Sequence, residues 1–186
     1  MTRSALLVMD VQNFTIARVA APPTYLTRLA STIASARAAS IPVIYVVAQF
    51  RPGAPEAHAR NRTFVRNPTC AGWIEGSASA AVHAAVAPQD GDVVVTKRRV
   101  SAFAGTDLEI VLRSLGVERV VVAGVATSGC VLSTVRQAAD GDYGVVVVRD
   151  LCLDPDEEVQ RVLMEKVFVK QAEVVDSEEW VAGLDL

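Results

Sequence analysis

The sequence predicts an α/β fold in which helices cover a mostly parallel β-sheet. Short runs of β-branched residues alternate with longer segments of helical periodicity along most of the 186 residues, which is typical of repeated β-α-β units. The predicted strands are hydrophobic at successive positions, as expected of strands that are buried on both faces. Hydrophobic residues make up 51% of the chain, so intrinsic disorder is excluded and residues 1–186 are expected to form a single domain.

Six strands and four helices account for this pattern. The predicted strands are the β-branched runs 5–9, 43–48, 93–96, 120–123, 145–148 and 173–175. The predicted helices, each bounded by capping residues, are 25–39, 107–115, 128–139 and 156–168. Between the second and third strands, residues 51–89 contain several prolines and glycines and at most a short helix near 78–86. We expect this long segment to cross one end of the sheet and to contribute to binding.

Charge, hydropathy and cysteine content exclude several classes of partner. The formal net charge is −3 and no basic run occurs, so a nucleic-acid partner is not expected. The apolar runs 120–126 and 145–148 are too short to span a bilayer, and Asp10 interrupts the apolar stretch near the N-terminus. The three cysteines form neither a Cys-x-x-Cys pair nor an even-numbered framework, so no disulfide scaffold is expected. These features predict a cytoplasmic protein without membrane contact.

Three side chains capable of chemistry follow predicted strands: Asp10 follows the first, Lys97 the third and Cys130 the fourth. In an open parallel sheet, ligands bind beyond the carboxyl ends of the strands. Cys130 follows Thr127-Ser128, a pair suited to a helix N-cap, so it should lie in a first helical turn, where the dipole favours a thiolate. With Lys97 nearby, we expect the pKa of Cys130 to lie below the ordinary cysteine value and Asp10 to carry the proton. The alternative is that Cys130 only packs a helix on the sheet.

The sequence lacks the motifs of several nucleotide-binding and hydrolase families. Gly124 and Gly129 have the spacing of a phosphate-binding loop, but Cys130-Val131 replaces its Lys-Ser/Thr pair. The turn after the first predicted strand has no glycines to admit a dinucleotide, and the sequence contains no Gly-x-Ser-x-Gly elbow. An NTPase, a dinucleotide-binding protein and a serine hydrolase are therefore not expected.

Three ordered segments carry a more specific pattern: LVMDVQNF at 7–14, TK at 96–97 with SAFAGT at 101–106, and GVATSGCV at 124–131. Together they resemble the isochorismatase-like cysteine hydrolases over nearly the whole chain. This resemblance implies a three-layer α/β/α fold with a six-stranded, mostly parallel sheet in the order 3-2-1-4-5-6. It also implies a catalytic triad of Asp10, Lys97 and Cys130, and a cis peptide before Ala126 whose amide, with that of Cys130, would form an oxyanion hole.

Departures from subgroups of that family narrow the implied chemistry. Nicotinamidases of the family bind a metal through an Asp-x-His motif after the second strand, where this chain has Gln49 and Arg51, so no metal or other cofactor is expected. The Thr-Ser-Gly-Cys turn is closer to carbamoyl-amide hydrolases, which implies cleavage of a C–N bond in a small amide, lactam or carbamoyl compound. The alternatives are isochorismatase-type hydrolysis of a vinyl ether and a non-catalytic scaffold of the same fold. The family resemblance also implies a homo-oligomer, either a dimer or a tetramer.

Seven further residues are candidate substrate-binding residues because they lie on the motif segments or on loops over the sheet edge. They are Gln12, Phe14, Gln49, Arg51, Trp73, Phe103 and Thr127. For each of them the alternative is an ordinary packing role. Phe14 and Phe103 would line an apolar pocket wall, and Arg51 would hold a substrate carboxylate.

Overall fold

The computed structural model describes residues 3–65 and 68–184, and within them six parallel strands form one sheet in the order β3-β2-β1-β4-β5-β6. The strands are β1 Ser4–Met9, β2 Val43–Ala48, β3 Val93–Lys97, β4 Arg119–Val125, β5 Gly144–Leu153 and β6 Glu173–Val175. The α/β class, the six strands and the strand order implied by the family resemblance are confirmed.

The described residues contain seven α-helices. They are α1 Asn13–Ile16, α2 Tyr25–Ala38, α3 Arg62–Val65, α4 Leu108–Ser114, α5 Leu132–Asp140, α6 Glu157–Val162 and α7 Ser177–Ala182. Of these, α2, α4, α5, α6 and α7 flank this sheet. A π-helical turn, Thr127–Val131, leads directly into α5. Another π-helical turn, Leu163–Val167, continues α6, so the helix predicted over 156–168 changes its hydrogen-bonding pattern part-way. None of the helices in the described ranges is long and apolar enough to span a membrane.

Alternate residues of β1 supply the two halves of the core. Leu7 and Met9 face the side covered by α4, α5 and the segment after α6, whereas Leu6 and Val8 face the side covered by α2. Each buried leucine or valine side chain stabilises the fold by about 1.5–3 kcal/mol relative to an exposed one. The sheet is therefore the middle of three layers, and its strand ends are held in fixed register at one edge.

Strand β5 is longer than the predicted strand 145–148 because two charged residues interrupt its apolar pattern without ending it. Asp150 accepts hydrogen bonds from the Ser177 amide at 2.8 Å and from the Ser177 hydroxyl at 2.7 Å. It also lies 3.2 Å from the Arg28 guanidinium. The charge is thus satisfied by tertiary partners, and the strand continues to Leu153 beside the end of β4.

Residues 51–89 lie against the loops that follow β1 and β2; within this segment, residues 66 and 67 fall outside the described ranges. The Phe50 amide donates to the Trp73 carbonyl at 2.7 Å, and the His83 amide donates to the Val11 carbonyl at 2.9 Å. Short 3-10 turns at Ala78–Ala80 and Ala84–Val86 replace the single short helix expected near 78–86. The segment therefore packs over the carboxyl ends of the first two strands.

Candidate active site

Asp10, Lys97 and Cys130 meet at the carboxyl edge of the sheet. Asp10 follows β1, Lys97 is the last residue of β3, and Cys130 lies in the turn after β4. The Lys97 Nζ is 2.8 Å from the Asp10 Oδ2, so its side chain reaches across the end of β2, the strand between β1 and β3. Its ammonium also donates to the Arg99 carbonyl at 3.1 Å. Only 3% of the Lys97 side chain is exposed, which makes this a buried ion pair.

The Cys130 thiol is buried beside this ion pair. Its Sγ donates to the Val125 carbonyl at 3.3 Å, and the residue is only 3% exposed. Burial raises the pKa of Cys130 well above its ordinary value, the Asp10 carboxylate raises it further, and the Lys97 ammonium opposes both effects. The expected lowering of this pKa is therefore wrong, because complete burial and a neighbouring carboxylate outweigh the lysine. The resting site therefore holds a neutral thiol next to the Asp10–Lys97 pair.

Burial also raises the pKa of the Asp10 carboxyl group, and Lys97 opposes that shift through its charge and its hydrogen bond. The two oxygens of this carboxylate are not equivalent. Oδ2 contacts Lys97, whereas Oδ1 is buried and accepts no hydrogen bond from the residues that the structure describes. An acceptor with unused capacity therefore lies next to the thiol.

A close approach of β4 to β1 sets the distance between the turn that carries Cys130 and Asp10. Gly124 pairs with Met9 and has a φ of +155°. A Cβ atom at Gly124 would lie 2.3 Å from the Met9 carbonyl oxygen, a separation that real Cβ atoms essentially never show. Only glycine allows the two backbones to approach this closely just before they diverge into the Asp10 and Cys130 loops.

The turn itself is held by backbone hydrogen bonds. The peptide bond between Val125 and Ala126 is cis. The Ala126 carbonyl accepts from the amides of Gly129, at 3.1 Å, and Val131, at 3.4 Å. The amide of Ala126 has no hydrogen-bond acceptor among residues 3–65 and 68–184. A free backbone donor thus lies close to the thiol.

The Gln12 side chain forms hydrogen bonds to the backbone of two other segments. The side chain is fully buried, its Nε2 donates to the carbonyls of Ala48, at 2.9 Å, and Ala80, at 2.6 Å, and its Oε1 accepts from the Ala48 amide at 2.9 Å. These bonds join the loop after β1 to the end of β2 and to the segment above it. Its amide group is therefore occupied by backbone, contrary to the expectation that Gln12 binds substrate.

Phe103 packs against one half of the hydrophobic core, the half that also contains Cys130. After β3 the chain contacts α5: the Ser101 hydroxyl donates to the Gln137 Oε1 at 2.7 Å, and the Ala102 amide donates to the Thr134 hydroxyl at 3.0 Å. The Phe103 ring packs against Tyr143, beyond the far end of α5, with ring centroids 5.9 Å apart. Phe103 therefore has the packing contact that was the alternative to pocket lining.

Four of the other candidates lie in the segments that follow β1 and β2, above the sheet edge. The Phe14 and Trp73 rings meet edge-on at 5.0 Å, and the Phe14 ring also packs directly over Gly72. Gln49 is half-buried, and its backbone amide donates to the Lys97 carbonyl at 3.1 Å. Arg51 is exposed and forms an ion pair with Glu56, so its charge is already neutralised within the loop.

Thr127 is the remaining candidate and lies at the first position of the turn that carries Cys130. Its side chain is fully buried, and its hydroxyl has no hydrogen-bond partner in the described part of the chain. Sequence reasoning missed two residues of this region, Gly124 and Asp154. Gly124 lies in the segment 124–131 that carries the family resemblance, but the need for glycine there depends on the approach of β4 to β1. Asp154 lies just before the predicted helix 156–168, and in the structure it accepts a hydrogen bond from the Ser128 amide at 2.7 Å.

A large groove lies elsewhere on the protein, and the described residues form no metal cluster. Within residues 3–65 and 68–184, no group of three or more His, Cys, Asp or Glu side chains could hold a metal ion. A groove of about 960 Å³, lined in part by Arg3, Arg119 and Trp180, contains none of Asp10, Lys97 and Cys130.

The Isochorismatase domain family matches residues 4–179, a range that includes Asp10, Lys97 and Cys130. The chain belongs to the isochorismatase family. An isochorismatase family protein from Burkholderia thailandensis has the same fold, with a TM-score of 0.89 and 30% identity over 99% of this chain and 96% of that one. N-carbamoylsarcosine amidase from Thermoplasma acidophilum superposes with a TM-score of 0.77 and 27% identity over 96% of this chain and 98% of that one.

The chain is also 35% identical to ureidoacrylate amidohydrolase RutB of Methylobacterium radiotolerans. That match covers 78% of this chain and 65% of the relative's length. The resemblance inferred from the three sequence segments is confirmed, and the similarity is to amide-cleaving hydrolases of the family.

Proposed function

We propose that the protein is a hydrolase that cleaves a C–N bond of a small carbamoyl or related amide, with Cys130 as the nucleophile. The observation that carries this proposal is the buried trio: a thiol beside a carboxylate with one unused oxygen, itself paired with an ammonium. The amidohydrolase relatives support the choice of an amide. Ureidoacrylate and N-carbamoylsarcosine, the compounds in the names of the relatives, share the carbamoyl group and are the first substrates to test.

In the first step, Asp10 accepts the thiol proton as the Cys130 sulfur attacks the substrate carbonyl carbon. The thiol is neutral at rest, so proton transfer and attack must occur together. Before attack the negative charge is on Asp10, and afterwards it is on the carbonyl oxygen. Lys97 stays positive in both states, so the site remains neutral overall while its charge moves.

The negative oxygen is stabilised by backbone donors in this mechanism. We assign this role to the amides of Ala126 and Cys130. The Ala126 amide donates to no acceptor within the described ranges, so it is available without the loss of an existing bond. A donor of this kind contributes about 2.7–4 kcal/mol of transition-state stabilisation.

Protonated Asp10 then gives its proton to the leaving nitrogen, and the C–N bond breaks. The product remaining on Cys130 is a thioester, or a thiocarbamate when a carbamoyl group is transferred. A water molecule, deprotonated by Asp10, attacks this intermediate and restores the thiol. Overall, one water is consumed, one C–N bond is broken, and an amine or ammonia is released.

The pocket side chains we propose around this centre are Phe14, Gln49, Trp73, Thr127 and Arg51. Phe14 and Trp73 form an apolar wall, and the Thr127 hydroxyl is free to bond a polar substrate atom. Arg51 contributes only if a substrate carboxylate displaces Glu56 from its guanidinium. No metal or other cofactor takes part in the proposed reaction.

Ammonia release tests the proposal. The protein is incubated with ureidoacrylate, N-carbamoylsarcosine, other N-carbamoyl amino acids, nicotinamide and simple primary amides. We expect at least one carbamoyl compound to be hydrolysed by the parent and by a Cys152→Ala variant, and none by Cys130→Ala. Cys152 is a matched control because it is also a fully buried cysteine of the same core.

A second candidate is hydrolysis of a vinyl ether with Asp10 as the acid. The raised pKa of Asp10 favours it, because a buried carboxyl group keeps its proton more readily. This reaction needs no thiol and would therefore survive in Cys130→Ala. Activity on a vinyl ether that is unaffected by loss of Cys130 would replace the amidohydrolase proposal.

We further propose that the protein is a cytoplasmic homo-oligomer, a dimer or a tetramer, that acts on small molecules and binds no nucleic acid. The net charge of −3 and the lack of a basic run support the absence of a nucleic-acid partner. Light scattering coupled to size-exclusion chromatography gives the oligomeric state. A monomeric mass at micromolar concentration would contradict this part of the proposal.

A further inference from the structure

Asp154 is bonded to the turn that carries Cys130, although it lies in a different loop. It is the first residue after β5, the strand next to β4 in the sheet. Its Oδ2 accepts a hydrogen bond from the Ser128 amide at 2.7 Å, and its Oδ1 accepts one from the Asp156 amide at 3.2 Å. One side chain thus joins the beginning of α6 to the beginning of the turn that carries the thiol.

The Ser128 amide is available to Asp154 because it lies at the start of a helical segment. The first amides of a helix have no carbonyl partner within the helix. Later amides of the same turn do: those of Gly129 and Val131 both bond to the Ala126 carbonyl. In the described part of the chain, Asp154 is the only acceptor of the Ser128 amide. Without it, the Ser128 amide would bond to water instead, because the residue is exposed, and the turn two residues before Cys130 would lose its link to the loop after β5.

We propose that Asp154 is a positioning residue for Cys130, a role that rests on the proposed function of that cysteine. By holding the Ser128 amide, it fixes the turn so that the thiol stays beside Asp10 and the Ala126 amide stays near the reacting carbonyl. A hydrogen bond from an amide to a carboxylate is short and strong, which suits a fixed anchor. Asp154 does not touch the reacting atoms, so its loss changes how they are aligned and not whether substrate binds.

Three variants test this role by steady-state kinetics on the best carbamoyl substrate. Asp154→Ala removes the acceptor, and Asp154→Asn keeps an acceptor oxygen at the same place. Asp156→Ala is the matched control: Asp156 accepts from the amides of Glu158 and Val159, both at 3.0 Å, and so caps α6 without touching the Cys130 turn.

For Asp154→Ala we expect kcat to fall about tenfold or more while KM stays within about threefold, because small misalignments of reacting groups have large effects on rate. For Asp154→Asn and Asp156→Ala we expect kcat within about threefold of the parent. Parental kcat in Asp154→Ala would overturn the proposal. The proposal would also be overturned if Asp154→Asn had the parental melting temperature but a kcat as low as that of Asp154→Ala. An equal loss of kcat in Asp156→Ala would overturn it as well.

Alkylation of Cys130 by iodoacetamide, followed by peptide mass across a pH series, gives a readout that needs no substrate. Asp154→Ala should change the rate of alkylation, and Asp154→Asn and Asp156→Ala should keep the parental rate. If the alanine variant does not fold, Asp154→Ser, whose hydroxyl is too short to reach the amide, takes its place. A parent that hydrolyses no carbamoyl compound contradicts the proposed function, whereas an unchanged alkylation rate in Asp154→Ala contradicts the role of Asp154.

Discussion

A Gly124→Ala substitution should force β4 away from β1 directly beneath the Asp10 and Cys130 loops. The new Cβ would lie 2.3 Å from the Met9 carbonyl oxygen and 2.8 Å from the Met9 Cβ, whereas ordinary contacts begin near 3.4 Å. The backbones would have to separate by about 1 Å to restore van der Waals contact. Both contacts involve the Met9 backbone or an atom attached to it, so no flexible side chain can move aside.

Two effects add in this variant. Overpacking of a well-packed interior destabilises by about 1–3 kcal/mol. Placing a side chain on a residue with a φ of +155° adds about 1–3 kcal/mol of backbone strain. The free energy of unfolding should therefore fall by roughly 2–6 kcal/mol, a large part of the 5–15 kcal/mol typical of native proteins.

Urea unfolding followed by circular dichroism measures this change. Gly129→Ala is the matched control, because a Cβ there would meet nothing within 4 Å and the residue is in a helical turn. We expect that control to be as stable as the parent or more stable by up to about 1 kcal/mol. If Gly124→Ala unfolds at the same urea concentration as Gly129→Ala, the close approach of β4 to β1 is not what requires glycine.

Three further predictions concern the electrostatics and hydrogen bonds of the buried edge. Asp10→Asn should move the alkylation profile of Cys130 to lower pH, because it removes a neighbouring negative charge, and Lys97→Met should move it to higher pH; shifts in the same direction would contradict the assigned charges. Burial raises the pKa of Cys152 to about 12 in the folded protein. The unfolded chain releases this proton at the ordinary cysteine pKa, so the free energy of unfolding is unaffected below that pKa and falls as pH rises from there towards 12. Cys152→Ala should therefore reduce the alkaline loss of unfolding free energy by about 1.4 kcal/mol per pH unit above pH 9, and an unchanged slope in denaturant titrations would refute this. Gln12→Leu should lower the free energy of unfolding by about 2–4 kcal/mol, because it leaves buried backbone groups without partners; a loss below 0.5 kcal/mol would show that these bonds are replaced.

Local patterns in the sequence were enough to predict the sheet and the meeting of three side chains at one of its edges. Continuous runs of valine and isoleucine are buried on both faces, so strands such as β2 could be read directly from the chain. Parallel strands bring their carboxyl ends together, which placed Asp10 near Cys130. The crossing of β2 by Lys97 followed only from the strand order that the family resemblance implied.

Features that depend on tertiary packing were not predictable in this way. The direction of the Cys130 pKa shift depends on how completely the thiol is buried and on the exact neighbour, neither of which is encoded locally. Gln12 and Phe103 lie in sequence motifs near the site, yet the Gln12 side chain bonds to backbone groups and the Phe103 ring packs against Tyr143. The path of a chain after a strand decides such positions, and short-range patterns do not determine that path.

The covalent step at Cys130 can be observed directly. The parent protein is mixed with the best carbamoyl substrate, quenched in acid within the first turnovers, and digested for peptide mass analysis. The account predicts a transient acyl or carbamoyl adduct on the peptide that contains Cys130, formed no more slowly than product is released. Steady turnover of that substrate with no adduct on Cys130, or undiminished turnover in Cys130→Ala, would contradict it.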